Sequence, residues 1–155
     1  MKQLTGLDAT FLYMETATTF GHVTGLMIFE RPSPEFDPYP AVYAKFAALV
    51  GELEPLRRRV VGVPLGLDHP YWVSDPNFDL DFHIRELHLA RPGLADQLAE
   101  QVCRIVGRPM DRSRPLWEVY VIDGLQHERW ALLTKYHHAT IDGASGQLML
   151  HILTD

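Results

Sequence analysis

His137-His138-Ala139-Thr140-Ile141-Asp142-Gly143 is the stretch whose residue types and spacing can do chemistry. It reads H-H-x-x-x-D-G, and it falls where an apolar strand gives way to a helix-like segment. A histidine in such a place can take a proton from a hydroxyl near neutral pH. Asp142, four positions beyond His138, can fix the geometry around it. That combination points to acyl transfer onto an alcohol or an amine. In an extended chain Leu133, Lys135 and His137 share one face and Thr134, Tyr136 and His138 the other. The two histidines therefore need not do the same job: one can be held in the packing while its neighbour faces an open channel. Asp142 can cap the following helix or pair with an arginine and brace the turn. Gly143 permits a close backbone approach at the junction.

The same residues admit plainer readings. Adjacent histidines can decorate a surface, and Asp-Gly is a common turn pair. His137, His138 and Asp142 do not have H-E-x-x-H spacing, and no cysteine cluster assists them, so no metal site is expected. Gly143-Ala144-Ser145-Gly146 is not G-x-S-x-G, which argues against a serine hydrolase.

The elements that must position this stretch belong to a chain of 155 residues, enough for one domain with a real core. Its net charge of −6 gives no sign of a nucleic-acid partner. The single cysteine, Cys103, excludes an intrachain disulfide and fits a reducing cytoplasm; inside a helical pattern it reads as a packing residue. Met1-Lys2-Gln3-Leu4-Thr5 lacks the apolar core of a signal peptide. No run approaches the roughly 18 apolar residues of a spanning helix, although surface association with a membrane needs no such run.

Along the chain, Leu4 to Glu15 is helix-friendly with Asp8 as a cap, and His22 to Glu30 is strand-like. Pro32, Pro34, Pro38 and Pro40 mark a loop. Val42, Phe46, Leu49, Val50 and Leu53 build one helical stripe, which Pro55 stops. Arg57-Arg58-Arg59 could meet a phosphate-rich cofactor, but a solvated face or carboxylate partners explain it better. Val60 to Trp72 reads as strand pieces joined by turns. Leu80, Phe82 and Ile84 alternate with polar residues as a strand with one wet face, which carries His83 and, further on, His88. Leu94, Leu98, Val102 and Ile105 form a second helical stripe ended by Gly107 and Pro109. Leu116 to Ile122 and Trp130 to Tyr136 read as a hairpin, with turn chemistry at Asp123-Gly124. Leu148, Met149, Ile152 and Leu153 mark a last helix. Strands mixed with helices predict an α/β layered sheet, whose strand order the sequence does not specify.

His137 to Gly143 resembles the active-site motif of the acyl-CoA-dependent acyltransferase superfamily, which includes chloramphenicol acetyltransferase and condensation domains. Pro115-Leu116-Trp117-Glu118 resembles the P-L-W segment of bacterial wax ester synthase/diacylglycerol acyltransferases. Leu7-Asp8-Ala9-Thr10-Phe11-Leu12-Tyr13-Met14-Glu15, followed by His22-Val23, resembles that family's amino-terminal signature. The seven-residue motif marks the superfamily; the three segments in this order mark the family.

The resemblance implies a two-layer mixed-sheet sandwich of the chloramphenicol acetyltransferase-like kind, forming one half of a two-domain enzyme. Residues 1–155 would be the amino-terminal domain, with the carboxy-terminal domain and its asparagine-aspartate motif lying outside this chain or on a companion fragment. The isolated chain would then be inactive. His138 would act as general base in moving a fatty acyl group from acyl-CoA, a co-substrate, to diacylglycerol or a long-chain alcohol. No bound cofactor or metal is implied. His137, Asp142 and Gly143 would support the motif, and Pro115, Leu116 and Trp117 would line the acyl channel. The expected location is the cytoplasm, with peripheral attachment to the inner membrane or lipid droplets as its extension. Transfer from carrier-protein thioesters, or a noncatalytic binding module of the same fold, are the alternatives.

Overall fold

The computed structural model describes residues 1–140. The expected last helix and the motif residues Asp142 and Gly143 lie outside the described residues.

Helix α1 (Gly6–Tyr13) starts at Thr5, whose side chain accepts the Asp8 amide. The cap is thus Thr5 rather than Asp8, because a residue must precede the first turn to reach its free amides; Asp8 takes the Thr5 hydroxyl in return, at 2.7 Å. Helix α2 (Pro38–Glu52) begins with Asp37 as cap and proline in its first turn, and buries Val42, Phe46, Leu49 and Val50, the stripe read from the sequence. A 3-10 turn follows at Glu54–Arg57. Helix α4 (Ala95–Val106) buries Leu98 and Ile105 and ends at Gly107.

Two sheets organise the chain. Strands β1 (Lys2–Gln3), β3 (Arg58–Val61) and β4 (Tyr71–Ser74) form a small antiparallel sheet in the order β1-β4-β3. The guanidinium of Arg58 lies 5.6 Å above the ring of Trp72, so this member of the arginine triplet packs on an aromatic face. The larger sheet has the order β2-β7-β6-β5, with β2 (His22–Glu30), β5 (Ile84–His88), β6 (Trp117–Leu125) and β7 (Arg129–His137). Only its β5–β6 pair is parallel, and α4 supplies the crossover that a parallel pair requires.

The β7 alternation sets the core. Trp130, Leu132 and Tyr136 join Trp117, Val119 and Val121 against α2. Ala131 and Leu133 join Tyr120 and Ile122 against Leu98 and Ile105 of α4. A third cluster of Leu4, Ala9, Leu12, Trp72, Leu116 and Ala139 seats α1 against the small sheet and the motif turn.

Three further readings need correction. Residues Leu80–His83 form one helical turn, α3, capped by Asp79, before β5 begins. Alternation therefore fails there, and His83 is fully buried instead of lying on a wet face. Its Nδ1 donates to the Trp117 carbonyl at 2.7 Å, and its ring stacks on Trp117 at 4.3 Å. His88, by contrast, is exposed. Asp123 and Gly124 belong to β6, where the register shifts between Ile122 and Leu125, and the chain reverses at Gln126–Glu128. The positive φ of Gly124, 80°, thus serves a bulge rather than the turn; Asp123 pairs with Arg31. Cys103 is exposed, since the buried stripe of α4 runs through Leu98 and Ile105 and leaves it on the outer face.

Candidate active site

Strand β7 delivers the two histidines to opposite environments. The His137 amide continues the ladder to the Leu116 carbonyl at 3.0 Å, and the chain then turns, with Thr140 N–H returning to the His137 carbonyl at 2.9 Å. Only 1% of His137 is exposed, whereas His138 is open to solvent.

His137 is held by its own turn. Its Nδ1 accepts the Ala139 amide at 3.1 Å, which leaves Nε2 as the ring's donor. Nε2 lies 3.3 Å from Glu15 Oε1, a facing contact without a well-aligned hydrogen bond. Burial pushes the His137 pKa down, and the Glu15 charge only partly opposes it. His137 is therefore the locked, neutral partner of the pair near pH 7.

His138 is held by its backbone and by one ring face. Its amide donates to the Gly21 carbonyl at 2.8 Å. Its imidazole stacks on Phe11, with centroids 4.7 Å apart and planes 14° apart. Phe11 comes from α1, whose other side is fixed by buried Ala9 and Leu12.

A carboxylate links these parts. Glu15 Oε1 accepts the Gly21 amide at 2.8 Å, and Oε2 accepts Arg112 at 2.6 Å. Burial alone would raise the Glu15 pKa, but Arg112, the Gly21 amide and His137 outweigh it and hold the carboxyl below its usual value. Gly21 is required by space: a Cβ there would stand 2.8 Å from His137 Nε2.

Behind the turn lie two further polar groups on the α4 side. Lys135 is fully buried and donates to the Ile105 and Arg108 carbonyls, at 3.1 and 2.6 Å, which closes the end of α4. His22, opposite His137 in the register, donates to the Val106 carbonyl at 2.9 Å.

The P-L-W residues are buried beside the motif. Pro115 and Leu116 lead into β6, and the Leu116 carbonyl is the one that holds the His137 amide. Trp117 is fully buried, with Nε1 donating to the Leu56 carbonyl at 2.8 Å. The structure thus brings His137 and Leu116 together, with His138 and Pro115 as their neighbours in the chain, while Trp117 packs in the α2 core. The sequence reading assigned no role to Phe11, Glu15, Gly21 or Arg112. Phe11 and Glu15 lie within the amino-terminal signature, so their place was visible; Arg112, 97 positions from Glu15, carried no local signal. Among the described residues, no group of three or more histidine, cysteine or acidic side chains could hold a metal ion.

Strand β7 thus leads into an open imidazole, that of His138, beside a buried one, that of His137. Comparison with known proteins places the chain in a family. The model of the wax ester synthase/diacylglycerol acyltransferase catalytic domain matches residues 4–155. The probable diacylglycerol O-acyltransferase tgs3 of Mycobacterium tuberculosis is 37% identical over 153 residues, covering 99% of this chain and 56% of that protein. The probable diacylglycerol O-acyltransferase tgs1 of the same organism is 40% identical over 162 residues, covering the whole of this chain and 33% of that protein. The wax ester synthase/diacylglycerol acyltransferase of Marinobacter aquaeolei VT8 superposes with a TM-score of 0.79 at 34% identity, over 97% of this chain and 36% of that one. The starter condensation domain of rhizomide synthetase has a TM-score of 0.71 at 17% identity, over 98% of this chain and 36% of that one, a likeness of fold alone.

The chain belongs to the wax ester synthase/diacylglycerol acyltransferase family. It spans about half the length of tgs3 and a third of tgs1.

Proposed function

We propose that this chain supplies the general base of an O-acyltransferase that moves a fatty acyl group from acyl-CoA to diacylglycerol or a long-chain alcohol. The observation that carries the reading is the contrast within the histidine pair: His137 is buried and locked, while His138 is open and rigidly mounted. His138 would draw the proton from the acceptor hydroxyl as its oxygen attacks the thioester carbonyl. The tetrahedral intermediate would collapse by breaking the C–S bond, and the departing thiolate would recover that proton from the imidazole. No covalent acyl-enzyme is needed. A positioned base contributes about 10²–10⁴-fold, so alignment and oxyanion stabilisation must supply the rest.

Within this reading, residues 1–155 form an amino-terminal domain and a second domain completes the acyl-CoA site. The longer relatives support that division. Asp142 and Gly143 would shape the turn beyond His138. Leu116, hydrogen-bonded to the motif strand, and its buried neighbour Pro115 would form part of the acyl channel wall, with Trp117 bracing it from the core. The acceptor is a lipid, so the intact protein would work from the cytoplasm at the inner membrane or at lipid droplets. Among the described residues no helix is long and apolar enough to cross a membrane. The exposed Leu65 and Leu67 offer apolar side chains to a lipid surface.

The test is thiol release from a fatty acyl-CoA by the intact protein, with diacylglycerol, hexadecanol and aminoacyl carrier proteins as acceptors. Turnover with the lipid alcohols, lowered about 100-fold or more by His138→Ala at unchanged melting temperature, is expected. Near-normal turnover in a folded His138→Ala protein removes the base assignment. Preference for aminoacyl carriers would place the protein with condensation-type enzymes, and no turnover with any acceptor would leave a binding module.

A further inference from the structure

We propose that Glu15 is a positioning residue for His138, acting by holding the Gly21 amide and facing the His137 imidazole. The inference rests on His138 being the base.

Glu15 follows the end of α1 and is 14% exposed at its side chain. A carboxylate so enclosed is costly unless it is paired and hydrogen-bonded. Here one oxygen takes the Gly21 amide at 2.8 Å and faces His137 Nε2 at 3.3 Å. The other takes Arg112 Nη2 at 2.6 Å and Nε at 3.2 Å. The residue held by its amide, Gly21, uses its carbonyl to hold the His138 amide at 2.8 Å. The residue faced by the carboxylate, His137, is the covalent neighbour of His138. Glu15 therefore restrains the base from both sides of its backbone.

Arg112 extends the restraint to the aromatic face. The nitrogen that meets Glu15 also donates to the Leu12 carbonyl at 2.8 Å. Leu12 adjoins Phe11, on which the His138 ring stacks. The carboxylate thus refers the backbone of the base and the ring beside it to one anchor. Apolar packing of Leu4, Ala9 and Leu12 against Leu116 and Ala139 already docks α1. What the carboxylate adds is the orientation of the turn, and displacement of a reacting group by about 1 Å can cost on the order of 10²-fold in rate.

The experiment compares wild type, Glu15→Gln, Arg112→Ala, the double variant and His138→Ala in the intact protein, measuring kcat, KM for both substrates and melting temperature. Nitrogen-15 spectra of labelled histidine follow the His137 tautomer. Glu15→Gln keeps the side chain's size but loses the charge that faces Arg112 and His137. Expected are a fall in kcat of about tenfold or more, KM values within about twofold, a disturbed His137 ring signal, and a double variant no worse than the poorer single one. Wild-type kcat in Glu15→Gln, with His138→Ala inactive, overturns the positioning role and leaves the base assignment standing. Full turnover in His138→Ala overturns both. Should Glu15→Gln fail to fold, Glu15→Asp, which keeps the charge but shortens the reach to the Gly21 amide, is measured in its place. It should show the same kcat-selective loss, and wild-type kcat there overturns the proposal.

Discussion

The ring of Phe11 lies parallel to the imidazole of His138, with 4.7 Å between centroids. One face of the His138 ring is therefore shut by α1; within the proposed function, an acceptor would reach it only from the remaining directions. Such a stack contributes about 0.5–1.5 kcal/mol beyond simple burial. Phe11→Leu keeps an apolar wall but loses the planar contact. The stack is present in the free protein, so its loss should lower the melting temperature by a few degrees, and kcat should fall by about two- to tenfold to the extent that the stack tightens in the transition state. Steady-state kinetics on the intact protein check this, and an unaltered kcat would show that the backbone alone orients the ring.

Trp117 separates structure from channel chemistry. It is fully buried, stacked on His83 and Phe46, and hydrogen-bonded to Leu56. Trp117→Ala should cost about 3–5 kcal/mol, as large buried aromatic truncations do. Trp117→Phe should also destabilise, because the Leu56 carbonyl loses its donor. Denaturant titration reads both. A Trp117→Ala protein of normal stability with altered acyl-length preference would instead make this ring part of the channel wall.

Three histidines should make the fold sensitive to mild acid. Burial is the largest cause in lowering His22, His83 and His137 below the ordinary value of 6.5. Below pH 6.5 the unfolded chain takes protons that the folded chain refuses, so stability is full above 6.5 and falls as pH drops toward the lowered values. Each such proton steepens the slope by up to about 1.4 kcal/mol per pH unit. The lowered carboxyls of Glu15, Asp111 and Asp123 lose their contribution further down, below the ordinary carboxylate range. His83→Gln does not titrate, so its acid limb should be shallower by up to one proton. Urea titrations at a series of pH values from above 6.5 downward measure the slope, and a limb identical to wild type would mean that His83 takes its proton as readily in the fold as in the unfolded chain.

Much of the site's scaffold was legible locally. The alternation of β7 placed Leu133, Lys135 and His137 on one face, and the structure keeps that order up to the turn. His22 to Glu30 was read as a strand, and β2 has those bounds. Where an apolar period is regular, the chain's own burial writes its structure. His83 escaped because a single helical turn of four residues interrupts an alternating pattern too short to reveal it. Asp123-Gly124 escaped because a left-handed glycine serves a bulge as well as a turn. Cys103 was misplaced because α4 buries a narrow stripe, and position along a helix does not by itself give the face. Sheet order and the Glu15–Arg112 pair depend on residues far apart in the chain, whose meeting is decided by packing.

Strand β2 has a consequence for anyone handling this stretch of polypeptide by itself. It pairs with β7 on one side only, among the described residues. Between His22 and Glu30 it has neither a lysine nor a proline, and Val23, Leu26 and Ile28 are exposed at 45, 43 and 49%. Free amides and carbonyls along such a margin recruit a second strand. Concentrated samples would then gather by edge-to-edge addition while each copy stays correctly folded, and cloudiness would report an unguarded border, not a failed core.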